Sequence, residues 1–170
     1  DPTAIIPVGI YRPKQGGMSF HQYGEFYRRG AVTLDDMASY CHLWAKKGPL
    51  WTVEVDAPND GPIVQQLRAL GLPARAAIKD KGERLQTHAW LLESSRLTLH
   101  ESCRESISEY YNYRWLERTD PNSRDRYQTA TAVDNHADGK DALGYCLLRA
   151  VGGLLQQGER RTRKVVFSAR

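Results

Sequence analysis

A dense group of carboxylates precedes the last apolar helical pattern of this chain, in the stretch VDNHADGKDALGY at 133–145. The stretch contains Asp134, His136, Asp138 and Asp141. Carboxylate oxygens are the ligands that hard cations such as Mg²⁺ and Mn²⁺ prefer, so one interpretation is a metal site. The other is a polar helix start, in which Asp138 caps the helix and Asp141 complements the helix dipole. That second interpretation gives no role to Asp134 or His136.

A further carboxylate, Asp56, ends the β-rich run LWTVEVD at 50–56. The carboxyl end of a buried strand, ahead of a turn and a helix, is where α/β sheets build their sites. The alternative role of Asp56 is to begin the turn DAPND. If the sheet brings Asp56 beside Asp141, the acids predict a site for divalent cations. Two such ions about 4 Å apart activate a water and stabilise the leaving oxygen when a phosphodiester is cleaved.

The elements that must position these acids alternate between strands and helices. Two extended segments around the turn PKQGG predict a leading hairpin, and Thr33 begins a helix with the capping pattern Thr-x-x-Asp. The last helix is predicted over 139–157, because its apolar residues recur at i, i+3 and i+4. The polar stretch 117–131 predicts a long loop or an irregular hairpin. Together the patterns indicate an α/β fold with a mixed sheet flanked by helices.

Composition and charge limit the possible classes of function. The 170 residues fit one domain, and no apolar run approaches the length of a membrane span. The three cysteines lie far apart without a CxxC pair, which favours a reducing compartment and argues against a zinc knuckle. The segment 159–170 carries five basic residues against one Glu, and so accounts for the whole net charge of +4. We predict a basic C-terminal tail there, and expect contact with a polyanion to be local or mediated by cations.

The order of these motifs resembles the nuclease domain of bacteriophage terminase large subunits. The matching pieces are DPTA at 1–4, VEVDAPNDGPIVQQLRALG from 53, ISEYYNYRW from 107 and NHADGKDALGY at 135–145. The resemblance covers nearly all of residues 1–158 and implies a domain with an RNase H-like fold that cuts concatemeric viral DNA during genome packaging. It also implies Mg²⁺ or Mn²⁺, as two ions, at the site.

The resemblance also implies roles for individual residues. Asp56 and Asp141 are implied to be catalytic metal ligands. Asp138 is implied to be a third ligand or a group that supports the ligands, and His136 a polar neighbour of the site. Where Gly144 stands, the family motif often has Arg. The family's first catalytic Asp lies on a strand just before DPTA and does not match Asp1. We therefore expect an upstream strand that ends in Asp.

A basic segment, KDKGERLQ at 79–86, is predicted to be a loop whose Lys79, Lys81 and Arg84 contact DNA phosphates. Such contacts position a duplex without reading its sequence. The alternative is a solvated loop in which Asp80 and Glu83 offset the charge.

Three functions are consistent with the sequence. The favoured one is the metal-dependent endonuclease of a packaging terminase, acting on double-stranded DNA in the cytoplasm of the infected bacterial host. Its implied partners are an upstream ATPase domain, a small terminase subunit and a portal, because the chain lacks the Walker A pattern of an ATP-driven motor. The others are a resolvase- or transposase-type nuclease of the same fold, and a catalytically silent domain that docks DNA or a portal.

Overall fold

The computed structural model describes residues 3–11, 17–112, 114–119, 126–133, 138–155 and 164–169. In this part of the chain no helix is both long and apolar enough to cross a membrane. The strands are β1 (Thr3–Tyr11), β2 (Ser19–Gln22), β3 (Phe26–Arg28), β4 (Leu50–Val55), β5 (Ala74–Ala76), β6 (Leu97–Leu99), β7 (Arg114–Thr119), β8 (Arg126–Val133) and β9 (Lys164–Ala169). The helices are α1 (Leu34–Ala45), α2 (Pro62–Ala69), α3 (Lys81–Glu93), α4 (Arg104–Asn112) and α5 (Asp138–Leu155).

Side-chain caps fix the starts of two helices. The Thr33 hydroxyl accepts a hydrogen bond from the Asp36 N–H at 3.1 Å, and the Asp36 carboxylate accepts one from the Thr33 N–H at 3.1 Å. This confirms the predicted capping pattern. Asp80 caps α3 in the same way, accepting from the Glu83 N–H at 2.8 Å. The helix therefore begins at Lys81, and most of the segment 79–86 is helical rather than the predicted loop.

The main sheet is mixed, with strand order β5-β4-β9-β1-β2-β6, and β3 pairs with β1. β1 and β2 form the predicted antiparallel hairpin, whereas β4 runs parallel to β5 and to β9. β7 and β8 form a separate antiparallel pair, so in the stretch 117–131 the hairpin alternative is the one that the structure shows.

The strand β9 lies in the middle of this sheet. It pairs antiparallel with β1 and parallel with β4, and Val55 aligns with Ala169. Residues 164–169 are therefore part of the sheet, which corrects the prediction of a basic tail for that part of 159–170. β9 occupies the one position between β1 and β4, and the upstream strand that the resemblance implies stays a prediction.

Two hydrophobic cores cover the two faces of the sheet. Because strand side chains alternate, Ile6 and Val8 of β1 join a core with α3 and α5, whereas Ile5 faces the other side. There Ile5 packs with Val53 and Val55 against α1 and α2. Helices thus flank both faces of a mixed sheet. The predicted α/β class is confirmed, and the arrangement is consistent with an RNase H-like fold.

Candidate functional site

Asp56 follows the last residue of β4 and faces the side of the sheet that α5 covers. The alternation of the strand puts Thr52, Glu54 and Asp56 on one face, and the Arg149 side chain of α5 contacts Glu54 on that face. Asp56 is mostly buried, and one of its oxygens lies 2.5 Å from Lys79 Nζ. Half of the Lys79 side chain is exposed, so this ion pair lies at the surface of the site.

Asp141 lies in the first turn of α5 and pairs with Arg84 from α3. The Arg84 Nη2 atom donates to Asp141 Oδ1 at 2.9 Å. Arg84 is 5% exposed, and its guanidinium carbon lies 4.7 Å from the centre of the Tyr145 ring. Arg84 was predicted to contact DNA phosphates from a loop. The structure places it inside the protein instead, where it neutralises a carboxylate of the candidate site.

A glycine makes room for this ion pair. A Cβ atom at Gly144 would lie 2.5 Å from the Cγ and Cδ atoms of Arg84 and 2.7 Å from His88 Nε2. Those distances are far below normal carbon contacts, so the Arg84 stem can cross α5 only because position 144 has no side chain. Gly144 stands where the resembled motif often has Arg, and here a guanidinium group reaches the same place from α3.

Through their contacts with Lys79 and Arg84, Asp56 and Asp141 both lie at the N-terminal end of α3. Lys79 comes two residues before this helix and Arg84 lies in its first turn, so Asp56 and Asp141 both lie within one side-chain length of the segment 79–84. Lys81, between them, is exposed at the first position of the helix.

The start of α5 is capped by a carboxylate from another helix. Glu109 of α4 accepts hydrogen bonds from the backbone N–H groups of Gly139, at 3.1 Å, and Lys140, at 2.6 Å. The Tyr27 hydroxyl also donates to Glu109. Burial raises the pKa of Glu109 above its ordinary value, while these hydrogen bonds act to lower it. Glu109 thus takes part in the capping that the alternative interpretation assigned to Asp138, which lies buried beside it.

Glu54 and Arg149 join β4 to α5 below the candidate site. Glu54 is fully buried, and Arg149 Nε lies 3.1 Å from both of its carboxylate oxygens. Burial raises the pKa of Glu54, and the neighbouring Arg149 opposes that shift. Removal of Arg149 would leave the buried Glu54 carboxylate with only the more distant Arg75, at 3.7 Å, which is destabilising. The pair therefore fixes α5 against the strand that ends at Asp56.

The donor chemistry suits a hard cation, since Asp56, Asp138 and Asp141 all offer carboxylate oxygens. In the described ranges, however, no group of three or more His, Cys, Asp or Glu side chains is arranged to hold a metal ion. Asp56 and Asp141 are instead each paired with a basic side chain. His136 falls in 134–137, outside the described residues.

Sequence reasoning missed Glu54, Glu109 and Arg149, because their partners lie far away in the chain. A buried acid in the middle of the apolar run LWTVEV was the one available signal, since such an acid needs a cation.

Solved protein structures share this fold. Two structures of the large terminase from a thermophilic bacteriophage, one of them in complex with ADP, align with 82% of this chain. Their TM-scores are 0.56 and 0.59, at 16% and 18% sequence identity. The chain spans 38% of the length of each terminase chain. No family model and no curated protein matches the sequence.

Proposed function

We propose that this chain is a divalent-metal-dependent endonuclease that cuts double-stranded DNA. The observation that carries the proposal is the placement of Asp56 and Asp141 at the same end of α3, one after a buried strand and the other in the first turn of a buried helix. Acids at the carboxyl edge of an α/β sheet are positioned for chemistry, and the overall fold is shared with phage large terminases.

Asp56, Asp138 and Asp141 would hold Mg²⁺ or Mn²⁺ ions, two in the complete site, with His136 as a polar neighbour. Bound divalent ions would supply an activated water and charge stabilisation for the leaving oxygen. Until a metal arrives, Lys79 and Arg84 balance the charge of Asp56 and Asp141. Lys79 is the exposed partner, and it can turn away to a DNA phosphate once a metal ion takes its place.

The biological setting follows from this proposal. The substrate would be concatemeric viral DNA in the cytoplasm of an infected bacterium, cut while a genome is packaged. The cutting domain would act with an ATPase domain upstream in the chain, a small terminase subunit and a portal.

A plasmid-nicking assay in Mn²⁺ tests the proposal. The assay compares the 170-residue chain with a version extended by the residues encoded before Asp1, where the resemblance implies another carboxylate. We expect Mn²⁺-dependent nicking by the extended version, and weak nicking by the shorter one. In the extended version Asp56→Asn and Asp141→Asn should each lower the rate on the order of 10²-fold or more, because metal stabilisation is worth several kcal/mol.

Asp35→Asn, at an exposed position on α1, is the matched control and should leave the rate unchanged. Full activity in Asp56→Asn or Asp141→Asn, or no nicking by either version of the chain, would remove the basis of the proposal.

A catalytically silent DNA- or portal-docking domain is the second candidate function. The observation that favours it is that Asp56 and Asp141 already have cationic partners. Salt-sensitive DNA binding without cleavage in Mn²⁺ would select it over the nuclease.

A further inference from the structure

A cavity of about 400 Å³ opens beside the edge strand β5. It is lined by three arginines, Arg68, Arg75 and Arg149, together with Asp60 and residues of β5. The three guanidinium groups come from α2, β5 and α5, so three separate elements converge on one space. None of the sequence patterns above singles out this group, which we call the arginine pocket.

Hydrogen bonds to β5 hold two of these arginines in place. Arg68 Nε donates to the Ala74 carbonyl at 2.7 Å, and Arg149 Nη2 donates to the Ala76 carbonyl at 3.2 Å. Asp60 completes the arrangement by accepting from the Ala76 N–H at 2.7 Å. Side chains therefore occupy the outward backbone groups of this edge strand, which closes it to pairing with another strand. They also fix the direction of the guanidinium groups.

The arginine pocket carries an excess of positive charge. Its three guanidinium groups are partnered by two carboxylates, since Asp60 contacts Arg68 at 2.5 Å and Glu54 contacts both Arg75 and Arg149. Each guanidinium has five N–H donors, and the bonds described for Arg68 use two of them. Arg75 lies 3.7 Å from Glu54, too far for a hydrogen bond, and its side chain is 40% exposed. The pocket thus offers donors and net positive charge to an anion.

The arginine pocket lies at the same edge of the sheet as Asp56. Ala76, the last residue of β5, aligns with Val55, so Asp56 follows directly on the neighbouring strand, about 5 Å away. On α5, Arg149 comes eight residues after Asp141, a distance of about 12 Å along the helix axis. A nucleic-acid strand that passes the two acids can therefore reach the pocket within a few nucleotides.

We propose that the arginine pocket binds a backbone phosphate of the DNA, a few nucleotides from the phosphodiester that lies between Asp56 and Asp141. The inference rests on the proposed function for its choice of ligand. Planar guanidinium groups held in fixed directions match the oxygens of a phosphate, and such contacts set the register of a duplex without reading bases. The arginine pocket positions the DNA strand, and the acids carry the chemistry.

Fluorescence anisotropy with a short labelled duplex in EDTA tests this inference, because no cleavage occurs there. Binding is measured over a series of KCl concentrations for the wild type, Arg75→Gln and the double variant Arg68→Gln/Arg75→Gln. Each lost phosphate contact lowers the slope of log K against log salt by about 0.9. We expect a decrease of about that size in both variants.

Arg104→Gln, an exposed arginine on α4, is the matched control with the same change of charge and should keep the wild-type slope. Arg75→Lys should retain most of the slope, because it keeps the positive charge. If the double variant does not fold, Arg75→Gln alone decides, since Arg75 makes no short contact to Glu54.

An unchanged slope in folded Arg75→Gln would overturn the inference, as would a wild type that binds no DNA. A parallel thermal-shift series compares inorganic phosphate with chloride at equal ionic strength. Stabilisation by phosphate that is lost in Arg75→Gln, together with an unchanged DNA slope, would make the pocket a site for a free anion and contradict DNA binding there. A chain that shows the slope decrease but never nicks DNA would support the pocket and refute the proposed nuclease.

Discussion

The close passage of Arg84 over α5 makes Gly144→Ala a sharp test of the candidate site. The new methyl group would lie 2.5 Å from the Cγ and Cδ atoms of Arg84 and 2.7 Å from His88 Nε2. The Arg84 side chain cannot yield easily, because its head is bound to Asp141 and lies over the Tyr145 ring. Over-packing of this kind costs about 1–3 kcal/mol. Higher helix propensity returns about 0.5–1 kcal/mol when Gly becomes Ala.

The net expectation is a loss of up to about 2.5 kcal/mol in the free energy of unfolding. Gly152, eight residues along the same helix, is the matched control. Apart from its chain neighbours and the surrounding helix backbone, no atom in the described part of the chain lies within 4 Å of a Cβ atom there. Gly152→Ala should gain about 0.5–1 kcal/mol from propensity alone. Urea unfolding followed by circular dichroism measures both, and the midpoints should move in opposite directions at a similar m-value.

A double-mutant cycle identifies the cause. In an Arg84→Ala background the methyl group no longer meets the arginine stem, so the cost of Gly144→Ala should fall. Equal stabilisation by Gly144→Ala and Gly152→Ala in the otherwise wild-type chain would refute the placement of Arg84 across α5.

Three further predictions concern other parts of the molecule. Lys79→Ala/Lys81→Ala should lower the salt slope of DNA binding by up to about two, and an unchanged slope would leave both lysines without a phosphate contact. Val166→Pro should abolish cooperative urea unfolding, because β9 has a partner strand on each side and proline lacks the backbone N–H that a strand in the middle of a sheet needs. Stability near that of the wild type would contradict the central position of β9. Burial first, and then the charges of Lys140 and Arg84, lower the pKa of His88 from 6.5 to about 3. Below pH 6.5 the unfolded chain therefore binds a proton on His88 that the folded chain does not bind. The free energy of unfolding should fall between pH 6.5 and 3, by up to about 1.4 kcal/mol per pH unit. His88→Gln should flatten that part of the curve of stability against pH.

Local signals predicted the elements well, because their causes are local. The capping pattern at Thr33 placed the start of α1 correctly, and apolar spacing identified α5. The central strand β9 was missed for a physical reason. Five basic residues in 159–170 suggested a solvated tail, whereas the β-branched and aromatic residues in KVVFSA favour a strand. The high charge of the whole segment 159–170 concealed the strand pattern of its last residues.

The acidic residues of the candidate site could be identified from sequence, but their basic partners could not. Nothing in the spacing joins Lys79 to Asp56 or Arg84 to Asp141, because these pairs depend on how α3 packs between distant elements. Because the segment around Arg84 is rich in charged residues, it was predicted to be exposed. Arg84 can be buried because Gly144 has no side chain to block it. That role of Gly144 becomes visible only when α3 is packed on α5.

Binding of Mn²⁺ to the folded chain tests most directly the claim that Asp56 and Asp141 form a metal site. Electron paramagnetic resonance of free Mn²⁺ gives the affinity without any substrate. We expect the wild type to bind Mn²⁺, and Asp56→Asn and Asp141→Asn each to bind at least about 10-fold more weakly, since even a partner of a metal ligand is worth about 10–100-fold. Asp35→Asn should bind as the wild type does. Equal Mn²⁺ affinity in the wild type, Asp56→Asn and Asp141→Asn would contradict the account.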